Sequence, residues 1–176
     1  MQPRSFTAAA YLITFHTYGS WLPGDERGTV RRHQNRYGEP MRGRCDALHA
    51  RSRELLQSAP VVLDTAERLV VLRAFSEVCQ HRGWSMHAAH VRTNHVHVVV
   101  TAGAPPERIM GDLKAWATRR LAEAGHRARG ARVWVRGGSQ RVLWDQAAID
   151  AARFYVLHEQ GEPLPGAPSL ALGRPL

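Results

Sequence analysis

Thr93-Asn94-His95-Val96-His97-Val98-Val99-Val100 is the stretch on which the fold turns. Its second half is an unbroken valine run, and β-branched residues mark a strand. Side chains alternate across a strand, so His95 and His97 face one side and Val96, Val98 and Val100 the other. Two imidazoles on one face, two residues apart, can grip one metal ion, while the valine face packs against helices. Paired histidines also occur on half-exposed strands with no ligand, and the chain has 10 His. The pair alone therefore decides nothing.

The neighbouring elements follow from period and punctuation. Residues 84–91 read as a strand, and Arg92-Thr93-Asn94 turns it tightly into the His-Val-His strand, an antiparallel hairpin. Upstream, Asp64 is a helix N-cap with Glu67 completing a capping box. That helix runs to about His81 with Leu69, Leu72 and Val78 on its buried face, and Gly83 stops it. Residues 8–17 form a first strand, with Leu12 and Thr14 on one face and Tyr11, Ile13 and Phe15 on the other. Between them lies an excursion, 18–60, rich in Gly, Pro, Arg and His; loops of that length inside a domain are usually functional or partly disordered. A short helix is predicted within it near 46–57. Trp21 serves there either as a plug on the core or as a base-stacking platform.

Downstream, a helix spans about 106–124, ending at Gly125, with Ile109, Leu113, Trp116 and Leu121 toward the core. Val133-Trp134-Val135 reads as a fourth strand, which 141–144 extends or supplements. A last helix starts at its cap Asp145 and runs to about Gln160, stopped by Gly161 and Pro163. The order is strand, helix, strand, strand, helix, strand, helix. It predicts an α+β fold: a ferredoxin-like split β-α-β antiparallel sheet with helices on one face and an appended C-terminal helix. The other sheet face is then open to a ligand. Residues 1–163 are expected to form one catalytic domain with the insertion at 18–60, and 164–176 a Pro/Gly-rich tail, loose or draped on the surface.

Composition sets limits. At 176 residues the chain can bury one real core. It has no apolar run long enough for a membrane span, and its start lacks a secretory h-region. Cys45 and Cys79 have no metal-type spacing and are expected to be reduced thiols in a cytoplasmic protein. The net charge is +9, with 24 Lys+Arg against 15 Asp+Glu, and Lys114 is the only lysine. GC-rich codons would explain the preference for arginine but not the excess of positive charge. Arginine's planar fork suits phosphates, so a polyanionic partner is expected. Candidate phosphate contacts are Arg31, Arg32 and Arg36 in the excursion, Arg92 in the hairpin turn, and Lys114, Arg119 and Arg120 on the second long helix, where a solvated face is the ordinary alternative.

Tyr155 is the only one of four tyrosines downstream of the histidine pair. A helix tyrosine commonly buries its ring and leaves its hydroxyl at the surface. Here, though, a larger pattern surrounds it: His95-Val96-His97 after Asn94, the Lys114 helix, Trp144-Asp145 before the last helix, and the opening Thr14-Phe15-His16-Thr17-Tyr18-Gly19-Ser20-Trp21-Leu22-Pro23-Gly24-Asp25-Glu26-Arg27-Gly28. Over about 11–160 the chain resembles the single-tyrosine HUH transposases of bacterial insertion sequences and their REP-associated relatives.

That resemblance implies a metal-dependent enzyme that nicks and rejoins single-stranded or hairpin DNA, acting in the bacterial cytoplasm and on the nucleoid. His95 and His97 would hold a divalent ion, Mg²⁺ or Mn²⁺, and Tyr155 would attack the phosphate to leave a 5′-phosphotyrosine and a free 3′-OH. The family contains both dimers and monomers, so a homodimer stays open. The family's third ligand is commonly a Gln one turn after the tyrosine; here that position is Glu159, and Gln160 follows. Helical geometry puts Glu159 about 40° and Gln160 about 140° around from Tyr155. Glu159 is therefore the expected third ligand, with Gln160 the alternative if the helix unwinds before Gly161; His158 is a third choice. Two other readings compete. One is a catalytically silent nucleic-acid-binding module on the same sheet, which would want aromatics on the central strand where histidines stand. The other is a two-histidine-motif phosphodiesterase, for which neither His16-Thr17-Tyr18 nor His87-Ala88-Ala89 supplies the second motif.

Overall fold

The valine run forms the spine of the sheet in a computed structural model that describes residues 10–25 and 43–167. In chain order the elements are β1 (Ala10–His16), α1 (Asp46–Glu54), α2 (Thr65–Arg82), β2 (Ser85–Val91), β3 (His95–Thr101), α3 (Pro106–Glu123), β4 (Ser139–Leu143) and α4 (Gln146–His158). The four strands form one antiparallel sheet in the order β2-β3-β1-β4. That is the ferredoxin-like order expected from the sequence, with β3 and β1 at the centre. The fourth strand differs from its predicted position. Residues 133–135 contribute only an isolated bridge, Thr17 to Trp134, and the edge strand is Ser139–Leu143. Trp134 is instead a core side chain, edge-on to Phe15 at 5.0 Å between ring centroids, with its indole N–H donating to the Lys114 carbonyl at 3.2 Å.

Alternation along β3 and β1 divides the protein into two packed layers. Ile13, Phe15, Val96, Val98 and Val100 face α2 and α3, joining Phe75, Val78, Ile109 and Leu113 in the larger core. Leu12 and Val99 face the other way, against Ile149, Ala152 and Val156 of α4. The face expected to lie open is thus partly roofed by the C-terminal helix. A fully exposed apolar patch of that size would be costly, and small residues on α4 (Ala148, Ala152) let the helix lie close to the strands.

The termini of the helices follow their sequence signals. Asp64 accepts from the Glu67 N–H at 2.8 Å, and the Glu67 carboxylate accepts from the Asp64 N–H at 2.9 Å. The same carboxylate, almost wholly buried, accepts from two nitrogens of Arg127, beyond the end of α3. One side chain thus closes the first turn of α2 and ties down the chain after α3. Removing it leaves a partly buried guanidinium without its counter-charge and the Asp64 N–H without its partner. Glu67→Ala is therefore expected to lower the unfolding free energy by about 3 kcal/mol. A urea titration would read this directly, and a shift under about 1 kcal/mol would mean that the pair contributes no more than an exposed one.

The predicted helix inside the excursion is α1, none of whose residues is buried. Residues 26–42 lie outside the described residues, and with them Arg31, Arg32 and Arg36. The two ends of that segment meet. Cys45 N–H donates to the Gly24 carbonyl at 3.1 Å, and Gly24 takes φ +88° against the Cys45 carbonyl and the His49 backbone, where a Cβ has no room. At the other terminus the tail begins as packed structure: Leu164 is buried in the larger core, and Ala167 packs against it.

Candidate active site

The antiparallel registers bring five polar side chains to one face of the sheet. His97 of β3 lies between Thr14 of β1 and His90 of β2, and His95 stands opposite His16. Their rings are close: His95 and His97 at 5.0 Å between centroids, His16 and His95 at 5.4 Å. Trp21, just past β1, sets its edge on His16 at 4.4 Å. Of the two readings of Trp21, the structure gives a wall of the cleft rather than a plug on the main core. α4 roofs this face, and Tyr155 meets His97 edge-on with centroids 5.7 Å apart. Between sheet and helix is a cleft of about 660 Å³, lined by Tyr155, both histidines, Gln160, Trp21 and Arg141 among others.

The nearest partners orient both imidazoles. The Asn94 side-chain oxygen, which can only accept, lies 2.7 Å from His95 Nδ1, so Nδ1 carries the proton and Nε2 the lone pair. His97 Nδ1 lies 2.8 Å from the Thr14 hydroxyl. Its Nε2 is buried with no hydrogen-bond partner among the described residues, an unusual and costly state for a nitrogen in a protein interior. Burial, aided by the charges of His90, His16 and Arg92, pushes His97 down to about 4, and the neighbouring Gln160 side chain opposes that shift. A neutral imidazole with an unspent lone pair is the form that ligates a metal.

This shift has a stability consequence. Between about pH 4 and 6.5 the unfolded chain binds a proton at His97 that the folded chain refuses. Stability is therefore full above pH 6.5 and falls as pH drops through that window, by at most about 3 kcal/mol from this residue. Burial lowers His90 and His87 in the same direction. Denaturant unfolding at pH 7.5, 5.5 and 4.5 is expected to show the decline, and His97→Gln to flatten most of it; an unchanged slope in that variant would assign the loss elsewhere.

The C-terminal turn of α4 departs from ideal helix geometry, and this reverses the order of the two ligand candidates. The helix ends at His158, and Glu159, its C-cap at φ −104°, is exposed and does not line the cleft. Gln160 is buried and turns into the cleft beside His97, with Gly161 at φ +83° permitting the reversal that follows. The extrapolated 40° and 140° positions assume helix beyond the point where it stops. His158 faces away, its ring against Phe154. His90, which the sequence did not single out, fixes this turn. Its Nδ1 donates to the Val156 carbonyl at 3.2 Å, one of the last carbonyls that the helix cannot satisfy itself.

Among the described residues no three His, Cys, Asp or Glu side chains converge as a metal cage. The nitrogen and amide donors lining the cleft are the imidazoles of His95, His97 and His16 and the Gln160 side chain. Two oriented imidazoles and one buried, unpartnered nitrogen fit a divalent ion, and borderline ions such as Mn²⁺ accept this mixed set more readily than Mg²⁺.

The predicted phosphate contacts fare differently. Lys114 lies on the opposite layer, over the Phe15 ring, where its ammonium donates to the carbonyls of Val135 and Gly137 and burial lowers it to about 8. Arg120 is held by Glu77 and Glu123, and Arg119 lies over Trp116; both are on α3, away from the cleft. Arg92 packs against the Gly161 turn at the margin of the site. Sequence reasoning passed over Arg141, Ser139, Thr14 and His16 as site residues. Their alternation on β1 and β4 was visible, but only the strand order puts them beside β3.

Residues 59–156 match the family described as IS200-like transposases. Two solved structures are similar. One is a REP-associated tyrosine transposase bound to a REP hairpin, at 10% identity and TM-score 0.44, covering 89% of this chain and 69% of that one. The other is a candidate transposase from Deinococcus radiodurans, at 13% identity and TM-score 0.47, covering 88% and 94% respectively. No curated protein shows significant similarity to the chain.

Proposed function

This chain belongs to the IS200-like transposase family, and from that premise we propose that it cuts and rejoins single-stranded DNA through a tyrosine-linked intermediate, at hairpin-bearing ends. The observation that carries this reading is the placing of Tyr155 against His97, in a cleft floored by the oriented pair His95 and His97. His95, His97 and Gln160 would hold a divalent ion, which when bound supplies Lewis-acid neutralisation of the charge developing on the phosphate.

The remaining steps belong to the chain's own residues. The Tyr155 hydroxyl gives up its proton and its oxygen bonds to phosphorus. The bond from phosphorus to the 3′ oxygen breaks, and that oxygen takes up a proton as a free 3′-OH. The phosphodiester energy is conserved in the tyrosine ester, so a different 3′-OH can attack in reverse and join new strands. Asn94 and Thr14 keep the imidazoles in their ligating orientation, and the His90 bond to Val156 keeps the tyrosine turn against the sheet. No helix among the described residues is long and apolar enough to cross a membrane, and the net charge of +9 suits a polyanionic substrate.

The test is incubation with end-labelled single-stranded hairpin oligonucleotides, taken from the DNA flanking the gene, in Mn²⁺ or Mg²⁺, followed by a denaturing gel. A labelled band that migrates as a protein–DNA adduct is expected. Tight, salt-dependent binding with no adduct and no cleavage across the whole set would instead support the catalytically silent binding module.

A further inference from the structure

Arg141 is the cation that the cleft itself presents. It stands on β4 opposite Leu12 of β1, on the same side of the sheet as Thr14, His95 and His97. No other lysine or arginine among the described residues lines the cleft. No hydrogen bond, ion pair or ring contact with the described residues ties its guanidinium down. Lys114 and Arg120 have their partners elsewhere. A planar fork over a cleft with no acidic partner is set for an anion from outside, and it matches phosphate bidentately.

Register locates that anion. From His97 the sheet steps to Thr14 and then to Ser139, and Arg141 lies two residues along β4. Strand spacing and rise put its Cα roughly 12 Å from that of His97. Side chains stand about perpendicular to a sheet, so the guanidinium and the imidazoles stay apart by more than one phosphate group spans.

We propose that Arg141 binds the backbone phosphate next to the one held at His95 and His97, and so sets which linkage of the strand lies under Tyr155. The proposal rests on the reading of the cleft as a site for single-stranded DNA.

The experiment is a binding scan in chains that cannot cleave. A labelled single-stranded hairpin oligonucleotide from the gene's flank is prepared with one neutral methylphosphonate at each linkage in turn. Each form is titrated with Tyr155→Phe, with Tyr155→Phe/Arg141→Ala and with Tyr155→Phe/His97→Ala, in Mn²⁺. In Tyr155→Phe, neutralising either of two adjacent linkages is expected to weaken binding about tenfold. The penalty at one linkage disappears with Arg141→Ala, and the penalty at its neighbour with His97→Ala. Arg141→Ala also lowers the slope of log affinity against log salt by about one. Arg141→Lys is expected to retain a weaker penalty at the same linkage, which a merely damaged edge strand would not do.

A penalty profile unchanged by Arg141→Ala overturns the proposal. So does an Arg141-dependent linkage remote from the His97-dependent one, or the absence of measurable binding by Tyr155→Phe. Because the scan never uses cleavage, failure of the wild-type chain to form an adduct would count against the proposed reaction while leaving the assignment of Arg141 to stand or fall by its own profile.

Discussion

Tyr155→Phe is expected to abolish the covalent adduct and to reduce strand cleavage by a thousandfold or more, on the order seen when a nucleophile is removed from an enzyme. It should leave affinity for the hairpin oligonucleotide within about twofold. The substitution removes one oxygen from a ring that is 38% exposed and is in edge contact with His97. The ring itself stays, so packing in the cleft is preserved. No hydrogen bond of the Tyr155 hydroxyl supports the fold among the described residues, so no loss of stability is expected to blur the result. Cleavage kinetics, the adduct gel and a binding titration on the same protein preparation separate the outcomes. Retained cleavage in Tyr155→Phe would mean that the cleft is a hydrolytic centre with another nucleophile. Equal loss of binding and cleavage would mean that the tyrosine is a contact rather than a reactant.

The second large effect is expected from the histidines. His95→Ala and His97→Ala should each lower cleavage by two to four orders of magnitude, and the double variant should be little worse than either alone, as for residues that act as a unit. Chelator added to the wild-type chain should reproduce the loss, and Mn²⁺ should reverse it. Calorimetric titration with Mn²⁺ supplies a readout apart from activity: one site in the wild-type chain and none in either alanine variant. Gln160→Ala should weaken that site by about 10- to 100-fold, in the range of a metal's supporting groups, while Glu159→Ala leaves it near the wild-type value. The contrast follows from where α4 ends, since Gln160 is buried beside His97 and Glu159 is exposed. A larger loss from Glu159→Ala than from Gln160→Ala would show that the turn rearranges when metal and DNA bind.

Much of this architecture was legible in the residues because the local signals agreed with one another. The valine run, the Asp64/Glu67 capping box, Gly83, Gly125 and the Asp145 cap all do in the structure what their chemistry predicts. The misreading of 133–135 has a simple cause. Val133-Trp134-Val135 carries β-branched and aromatic residues that suit a strand, but Val133 and Trp134 are needed as core against Phe15 and the α3 side. The polar, alternating 139–143 stretch takes the edge instead, where only one of its faces is covered. The choice between Glu159 and Gln160 rested on extrapolated helix geometry, and periodicity cannot report the residue at which a helix stops. Charge has no address in a sequence, so the spread of candidate phosphate contacts over several elements could not be narrowed there. Lys114 and Arg141 look alike in one dimension, and only the alternation of the sheet assigns them to opposite sides. His90 escaped notice because its role is to satisfy a helix carbonyl that no sequence pattern marks.

The contact between Gly24 and Cys45 separates two kinds of constraint on the chain. The strand side and the α1 side of the excursion are pinned to each other at one point, whatever length of polypeptide joins them. Doubling such a loop costs only about 0.6 kcal/mol in closure entropy. A change in the number of residues between Gly24 and Cys45 is therefore expected to cost little in closure entropy while that bond is kept. One backbone hydrogen bond, far along the chain from the histidines of β3, thus holds the strand side and the helix side of the excursion together.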